Sequence, residues 1–524
     1  MLHPNPQDIS PPLVLQSGSP GLWPDYILGN FYRELKLALL GLILSGPWLL
    51  TPGFELGWVF PQQQALTVLS VTQVLSANTD DDGFVRCLII NSDDSNAISK
   101  VVYSPSNSSY TSVLQSSINN LRFTSLSTPK PLFVVTPVTE SQIQTVVYCS
   151  KTNGLEIRTR SGGHDFEGLS YVSQVPFVIL DLINLRSIAV DAQSATAWVQ
   201  AGATLGEFYY AIAQKSRNLG FPAGVWYALG LGGHVSSGGY GGMMRKYGLA
   251  ADNVIDARIV NVHGKILDRK LMGEDLFGRL GAEESPDVQC GQSGNGKPND
   301  TSDFRNPFLG GIERLLVLMQ EKFPELGLVR EDCTEMSWIE SVVFGSSFRN
   351  GEPPEILLNR TAMPKNSFKG KSDFATRPIP EDGFEGIWEF YNEKIEAGMA
   401  LLVLTPYGGK MDEVLGSATP FPHRLGSLYM IEYLVVWDGD ETSPHISWIR
   451  SLYSYVASYV SNSPRTAYLN YNDLDLGVGT SYLEARNSWG PKYFRNNFNR
   501  LVKVKTMVDP GNFFKHEQSI PTRF

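Results

Sequence analysis

The stretch Arg158-Thr-Arg-Ser-Gly-Gly-His-Asp-Phe-Glu-Gly-Leu-Ser-Tyr171 decides how the rest of this 524-residue chain is read. It follows an apolar run, Pro131-Leu-Phe-Val-Val-Thr136, and a helix-like segment from Ser141 to Lys151. Ser161-Gly162-Gly163 carries little side-chain bulk, so several backbone N–H groups can converge on one anion and bind phosphate without a helix dipole. His164 then places an imidazole beside whatever that nest holds. On these few residues alone, a glycine turn followed by a surface histidine fits equally well.

A second glycine-dense stretch, Gly230-Leu-Gly-Gly-His-Val-Ser-Ser-Gly-Gly-Tyr-Gly-Gly242, shifts the balance. It leads into Met243 to Asp252, and then into Val254 to Asp268, which reads as a strand pair around a His263-Gly264 turn. Two further signatures stand far away, Asn470-Tyr-Asn-Asp-Leu-Asp-Leu476 and Asp509-Pro-Gly-Asn-Phe-Phe-Lys-His-Glu-Gln-Ser-Ile-Pro521. Together these motifs resemble the flavin-binding domain of the vanillyl-alcohol-oxidase superfamily and, more narrowly, the plant berberine-bridge-enzyme-like oxidases. The resemblance runs from about Asn78 to the C-terminus, with four motifs in order.

It implies an α+β fold in consecutive parts. Residues 78–277 form an FAD-binding domain. Residues 307–476 form a substrate domain of antiparallel sheet and helices, and 477–524 return to the FAD domain. Between them, 278–306 is rich in Gly, Ser, Asn, Asp and Pro and reads as irregular. The family carries several dozen further residues there, so this chain is expected to lack flavin contacts and the first strands of the substrate domain.

By resemblance the first nest holds the FAD pyrophosphate, and His164 bonds the flavin 8α carbon. The implied cofactor contacts are Arg160, Ser161, Gly162, Gly163, His164, Asp165 and Ser170 in the first stretch. Gly232, Gly233, Gly239, Tyr240, Gly241 and Gly248 follow in the second, with Val260 and Asn512 beyond. Many relatives carry a second, cysteinyl tether where this chain has Trp226, so one covalent link is expected at most. Leu229 stands where the family tunes its reaction with oxygen, and implies a slow one. Phe166 replaces a tyrosine that many relatives carry.

Removing hydride from a carbon beside O–H needs a base for the oxygen's proton. Leu428 to Trp437 alternates as a strand. Tyr429, Ile431, Tyr433, Val435 and Trp437 share one face, and Leu428, Met430, Glu432, Leu434 and Val436 share the other. Glu432 is the lone carboxylate on an apolar face, where desolvation raises a carboxyl's pKa. A structural glutamate paired with an arginine is the alternative. The family places an acid–base residue here, and Tyr240 and Tyr471 match its active-site tyrosines. The expected reaction is oxidation of an alcohol on a sugar or phenylpropanoid-type molecule, with oxygen or another electron acceptor. A catalytically degenerate glycoprotein of the same descent is the competing expectation, favoured by Trp226 and the interrupted middle.

A formal charge of −10 disfavours nucleic acid and anionic membranes as partners. No zinc, nucleophile-elbow or Walker signature appears, and no strand feeds a Rossmann fingerprint. Cys87 and Cys149 can bridge in an oxidising compartment, and the resemblance implies that pair; Cys290 and Cys333 show no partner signal. Sequons at Asn107, Asn299 and Asn359 fit a secreted glycoprotein, and the resemblance implies secretion to the cell wall. Residues 1–77 read as an extension outside the fold. Leu37 to Leu44 is too short to span a bilayer, and with Arg33 and Lys36 before it suits a signal h-region. The segment from Ala65 to Ala77 sits where the family's signal peptide ends. A mis-assigned start accounts for this region equally well.

Elsewhere, Phe177–Leu182 and Ala197–Ala201 read as strands, and Thr204 to Lys215 as a helix boxed by Thr204 and Glu207. Ile312, Leu315, Leu316, Met319 and Phe323 make a helical core stripe, and Ile449, Leu452, Val456 and Val460 mark a helix behind the Glu432 strand. Pro491 to Val508 reads as one basic amphipathic helix with a solvated Arg/Lys face.

Overall fold

The computed structural model describes residues 13–15, 82–277, 308–324, 327–392, 398–439 and 441–523. The irregular segment 278–306, with Cys290 and the Asn299 sequon, and nearly all of the N-terminal extension lie outside the described residues. Leu13–Leu15 pairs antiparallel with Cys333–Glu335.

The first core forms on a four-stranded sheet. Its strands are β1 (Val102–Tyr103), β2 (Phe133–Val135), β3 (Glu156–Arg160) and β4 (Phe177–Asp181), in the order β1-β2-β4-β3. The last three run parallel and β1 is antiparallel to β2. Strand β4 is buried on both sides, which is why Phe177 to Leu180 is continuously apolar rather than alternating. Val178 and Leu180 pack with Phe84, Leu88 and Val146 from helices α1 (Asp82–Asn91) and α2 (Glu140–Thr152). Phe177 and Ile179 pack with Tyr110, Leu114 and Tyr171 on the opposite face. The Cys87–Cys149 disulfide joins α1 to α2, as the resemblance implies.

Helix α3 (Leu205–Lys215) starts where Thr204 and Glu207 cap each other's backbone amides, the expected capping box. Its apolar face, Leu205, Phe208 and Tyr209, is covered by Trp338, Val342 and Val343 of helix α4 (Trp338–Gly345) and by Leu357. Trp338 to Leu357, within the span expected to be the substrate domain, thus packs on a helix of the span expected to be the FAD-binding domain. Burying α3 requires it.

The substrate sheet is antiparallel: β5 (Ser367–Ala375), β6 (Gly398–Pro406) and β7 (Tyr429–Trp437), ordered β5-β7-β6. Ile431, Tyr433, Val435 and Trp437 of β7 pack against Ile449, Leu452 and Val456 of helix α5 (Thr442–Val456). This is the face predicted from the alternation. The other face carries Glu432.

Three expectations fail. The tail is two helices, Gly490–Phe494 and Phe498–Val508, broken at Arg495 with φ 45°. The break lets the Asn497 amide reach the carbonyls of Gly416 and Thr419, at 2.6 and 3.0 Å. Its basic face is not wholly solvated either, because Lys505 is buried and bonds Asp509 and the Phe514 carbonyl. Phe323 leaves its predicted stripe and is 55% exposed, the chain having departed from helical geometry after Lys322. Among the described residues, no helix is long and apolar enough to cross a membrane, and no His/Cys/Asp/Glu group is arranged to hold a metal ion.

Candidate active site

Strand β3 delivers the first glycine turn. Arg160, at its end, is fully buried and bonds Asp181 at 3.0 and 2.6 Å and the carbonyls of Val113 and Leu114 at 2.9 and 2.7 Å. Its guanidinium therefore serves the fold, and only its backbone remains to face a ligand.

The two glycine turns touch. A Cβ on Gly162 would lie 2.3 Å from the Gly230 amide nitrogen, so neither position has room for a side chain. Gly163 has φ +70°, and a Cβ there would lie 1.7 Å from the Ser117 carbonyl oxygen. Ser161 Oγ donates to the Ala201 carbonyl at 2.5 Å, and the Gly232 amide donates to the same oxygen at 3.3 Å. That one carbonyl ties the turns together. The Asn119 amide takes up the Gly162 and Gly163 carbonyls at 2.7 and 3.1 Å.

The amides of Gly162, Gly163 and His164 bond nothing among the described residues. Ser170 Oγ is likewise buried without a partner, and around Gly233 the space is open. Consecutive unclaimed N–H groups, a buried hydroxyl and bare glycine backbone are the donor set a pyrophosphate needs. The residues present fit the group that the first nest is expected to hold.

His164 follows, half-buried, with its pKa pushed down to about 4 by desolvation and, secondarily, by the Lys365 ammonium. It hydrogen-bonds the Ala228 backbone. A neutral imidazole that donates from one nitrogen keeps a lone pair on the other, which a nucleophilic tether requires. Asp165 is raised to about 6 by burial, although amides of Leu169 and Glu167 and the Asn472 side chain bond it. It closes its own turn.

On the substrate sheet, Glu432 is 9% exposed and burial raises its pKa to about 7, against a hydrogen bond from Tyr471 that lowers it. No arginine pairs with it among the described residues, so the structural alternative has no support. The hydroxyls of Tyr471 and Tyr240 share a short hydrogen bond. Phe166, from the His164 loop, stacks on Tyr471 with centroids 5.0 Å apart, joining the nest to the tyrosine cluster. Behind it, buried Lys369 bonds Glu167 and Asp473, and Lys371 bonds Asp473 at 2.6 Å.

The remaining expected contacts are distributed around this centre and beyond it. A Cβ on Gly241 would meet the Ala223 carbonyl at 1.8 Å, and Gly248, at φ +76°, ends the helix Met244–Tyr247. Gly239 donates its amide to the Tyr468 hydroxyl at 3.0 Å. Val260 pairs with Ile266 and packs on the first core. Asn512 lines a surface pocket with Gly154, Leu155 and Glu156 at the start of β3, the opposite end from the nest. Trp226 packs against the α3 core cluster. Sequence reasoning missed Tyr468, which is buried, accepts from Asn470 at 2.8 Å and stands edge-on to Tyr471 and Tyr240. Only its closeness to the Asn470 motif pointed to it.

Residues 131–269 match the model of an FAD binding domain, and residues 467–521 match that of berberine and berberine-like proteins. "Cannabidiolic acid synthase-like 1" of Cannabis sativa is 46% identical over 481 residues, 79% of this chain and 88% of that protein. A "Tetrahydroberberine oxidase" of Argemone mexicana is 43% identical over 521 residues, covering 87% and 94%. The chain belongs to the berberine-bridge-enzyme-like family of FAD-linked oxidoreductases. Among solved members, BBE-like #28 from Arabidopsis thaliana superposes with TM-score 0.77 at 41% identity, over 84% of this chain and all of that one. Phl p 4, a grass pollen allergen with glucose dehydrogenase activity, gives TM-score 0.77 at 36% identity, covering 84% and 99%. The alignment with the Cannabis sativa relative spans 481 residues but engages only 79% of this chain's 524, about 414, so about 67 positions of that relative face no residue here.

Proposed function

We propose that this family member oxidises the CH–OH group of a small molecule, with FAD tethered through His164 alone and Glu432 as proton acceptor. Bound FAD supplies the two-electron acceptor for the hydride. The amides of Gly162, Gly163 and His164 and the Ser170 hydroxyl hold its pyrophosphate. Glu432 receives the hydroxyl proton of the alcohol, and the phenols of Tyr471 and Tyr240 orient that hydroxyl and the carboxylate. Trp226 offers no thiol for a second tether.

The observation that carries this reading is Glu432, a buried carboxyl poised near neutrality beside two phenols and free of any cationic partner among the described residues. A base is most effective when its pKa sits near the working pH. Leu229 supports a slow reaction with oxygen, so that oxygen or another electron acceptor takes the electrons, and the disulfide and the exposed sequons at Asn107 and Asn359 support a secreted glycoprotein. Anaerobic addition of an alcohol to purified, yellow protein tests the reaction: the flavin absorbance should bleach, and in Glu432→Gln it should bleach far more slowly. A colourless folded protein would instead support the degenerate glycoprotein, which the about 67 unmatched positions of the Cannabis sativa relative favour.

A further inference from the structure

The helix Tyr110–Ser116 ends against the first glycine turn, and cations take up its last carbonyls. Arg160 bonds those of Val113 and Leu114 at 2.9 and 2.7 Å. The Lys365 ammonium donates to those of Gln115 and Ser116 at 3.0 and 2.7 Å. The carbonyl of the next residue, Ser117, is the one that leaves Gly163 no room for a Cβ. Lys365 is therefore held one residue away from the backbone that touches the nest. Its own backbone is fixed too, because Asn366 bridges to Asn120 and accepts from the Leu121 amide at 3.0 Å.

The cations of this region differ in what offsets their charge. Asp181 neutralises Arg160 at 2.6 Å, Glu167 neutralises Arg122 at 3.2 Å, and Lys369 pairs with both Glu167 and Asp473. Lys365 has no carboxylate partner among the described residues, and two helix carbonyls offer it only partial negative charge. It is half-buried, and burial pulls its pKa down, with Arg160 adding to the pull. Its charge in turn lowers the pKa of His164, which marks the two groups as neighbours. An ammonium partly withdrawn from water and lacking a counter-ion favours an anion beside it. The amides of Gly162, Gly163 and His164 carry no formal charge, and Asp165, bonded within its own turn, supplies none of the sign an anion needs.

We propose that Lys365 is a cofactor-binding residue, the one that brings positive charge to the diphosphate held by the nest. This rests on the reading of the nest as the site of the FAD pyrophosphate. The neutral backbone donors orient the phosphate oxygens, and the ammonium offsets the charge those donors leave over. A lysine ammonium has three N–H donors. Gln115 and Ser116 occupy two of them, so the third is free for a phosphate oxygen while the helix end stays capped. Lys365 lies outside all four motifs that carry the resemblance, and the fold alone brings it to the first of them.

The test uses the full chain carrying His164→Ala, which leaves flavin exchangeable. Stripped of flavin, it is titrated with FAD, riboflavin and inorganic pyrophosphate, with Lys365 intact or replaced. In Lys365→Met, FAD and pyrophosphate should each bind about tenfold more weakly or worse. Riboflavin has no phosphate and should bind both chains alike. Lys365→Arg keeps the charge and should bind FAD within about threefold of the lysine chain. A purely structural lysine would cost riboflavin and FAD equally, so equal losses would overturn the proposal. So would a Met variant that binds FAD and pyrophosphate as tightly as its parent, or a lysine chain that binds neither. Pyrophosphate separates this proposal from the flavin reading. A chain that takes no flavin yet binds pyrophosphate through Lys365 removes the flavoprotein reading alone, and leaves the role of Lys365 standing.

Discussion

The Tyr471 hydroxyl hydrogen-bonds both the Glu432 carboxyl and the Tyr240 hydroxyl, placing the acid–base group and two phenols in one chain. Burial pushes Glu432 up to about 7 and the Tyr471 bond pulls it down. Tyr471→Phe should therefore raise the Glu432 pKa further. The rising limb of the pH–rate profile should move to higher pH, while flavin content stays unchanged. A limb that stays in place, or moves to lower pH, would show that Tyr471 does not bond the catalytic carboxylate.

Glu432→Gln should lower turnover by about 10²–10⁴. It should also change stability in a way a catalytic assay does not see. In the folded chain Glu432 keeps its proton to about pH 7, whereas its ordinary value is 4.5. The folded state then binds more protons than the unfolded one across that window, so stability falls as pH rises through it. Denaturant titrations at pH 5 and pH 8 should show a shallower pH dependence in the glutamine variant than in the parent.

Acid acts through different groups. Burial pushes His164 and His234 down to about 4, and His423 and His516 to about 3. The unfolded chain protonates these rings near 6.5 and the folded chain does not. Their contribution is present above that value and is lost as pH falls toward 4. Unfolding followed by circular dichroism should be cooperative in mild acid, and His423→Gln should shift its midpoint to lower pH.

Much of this was legible in the sequence, and for physical reasons. The alternation from Leu428 to Trp437 gave both faces of β7 and isolated Glu432, because period-two patterning reports burial directly. The Thr204–Glu207 box was readable because both partners lie within one helical turn. What stayed hidden depended on distant partners. Nothing local to Arg160 reveals that Asp181 and two carbonyls occupy its guanidinium. The break at Arg495 follows from carbonyls near residue 416, and the cover of α3 comes from a helix more than a hundred residues later. Asn512 belongs to a recognisable motif, yet its place at the far end of β3 is a matter of topology.

The buried charges behind the nest should matter more for stability than for chemistry. Lys369 neutralises Glu167 and Asp473, with all three nearly inaccessible to water. Lys369→Met would leave Glu167 with Arg122 and Asp473 with Lys371 as their remaining cations, and the lost shared ammonium should cost about 3 kcal/mol. Chemical denaturation should register that loss, and a change below about 1 kcal/mol would mean that water or Lys371 compensates.

The central claim is a flavin held through His164. Purified protein should be denatured, precipitated with acid and washed, and the pellet's flavin absorbance measured for the parent and for His164→Ala. The account predicts a yellow parent pellet and a colourless variant pellet, with flavin released to the supernatant. A colourless parent pellet, or a variant pellet that stays yellow, would contradict it.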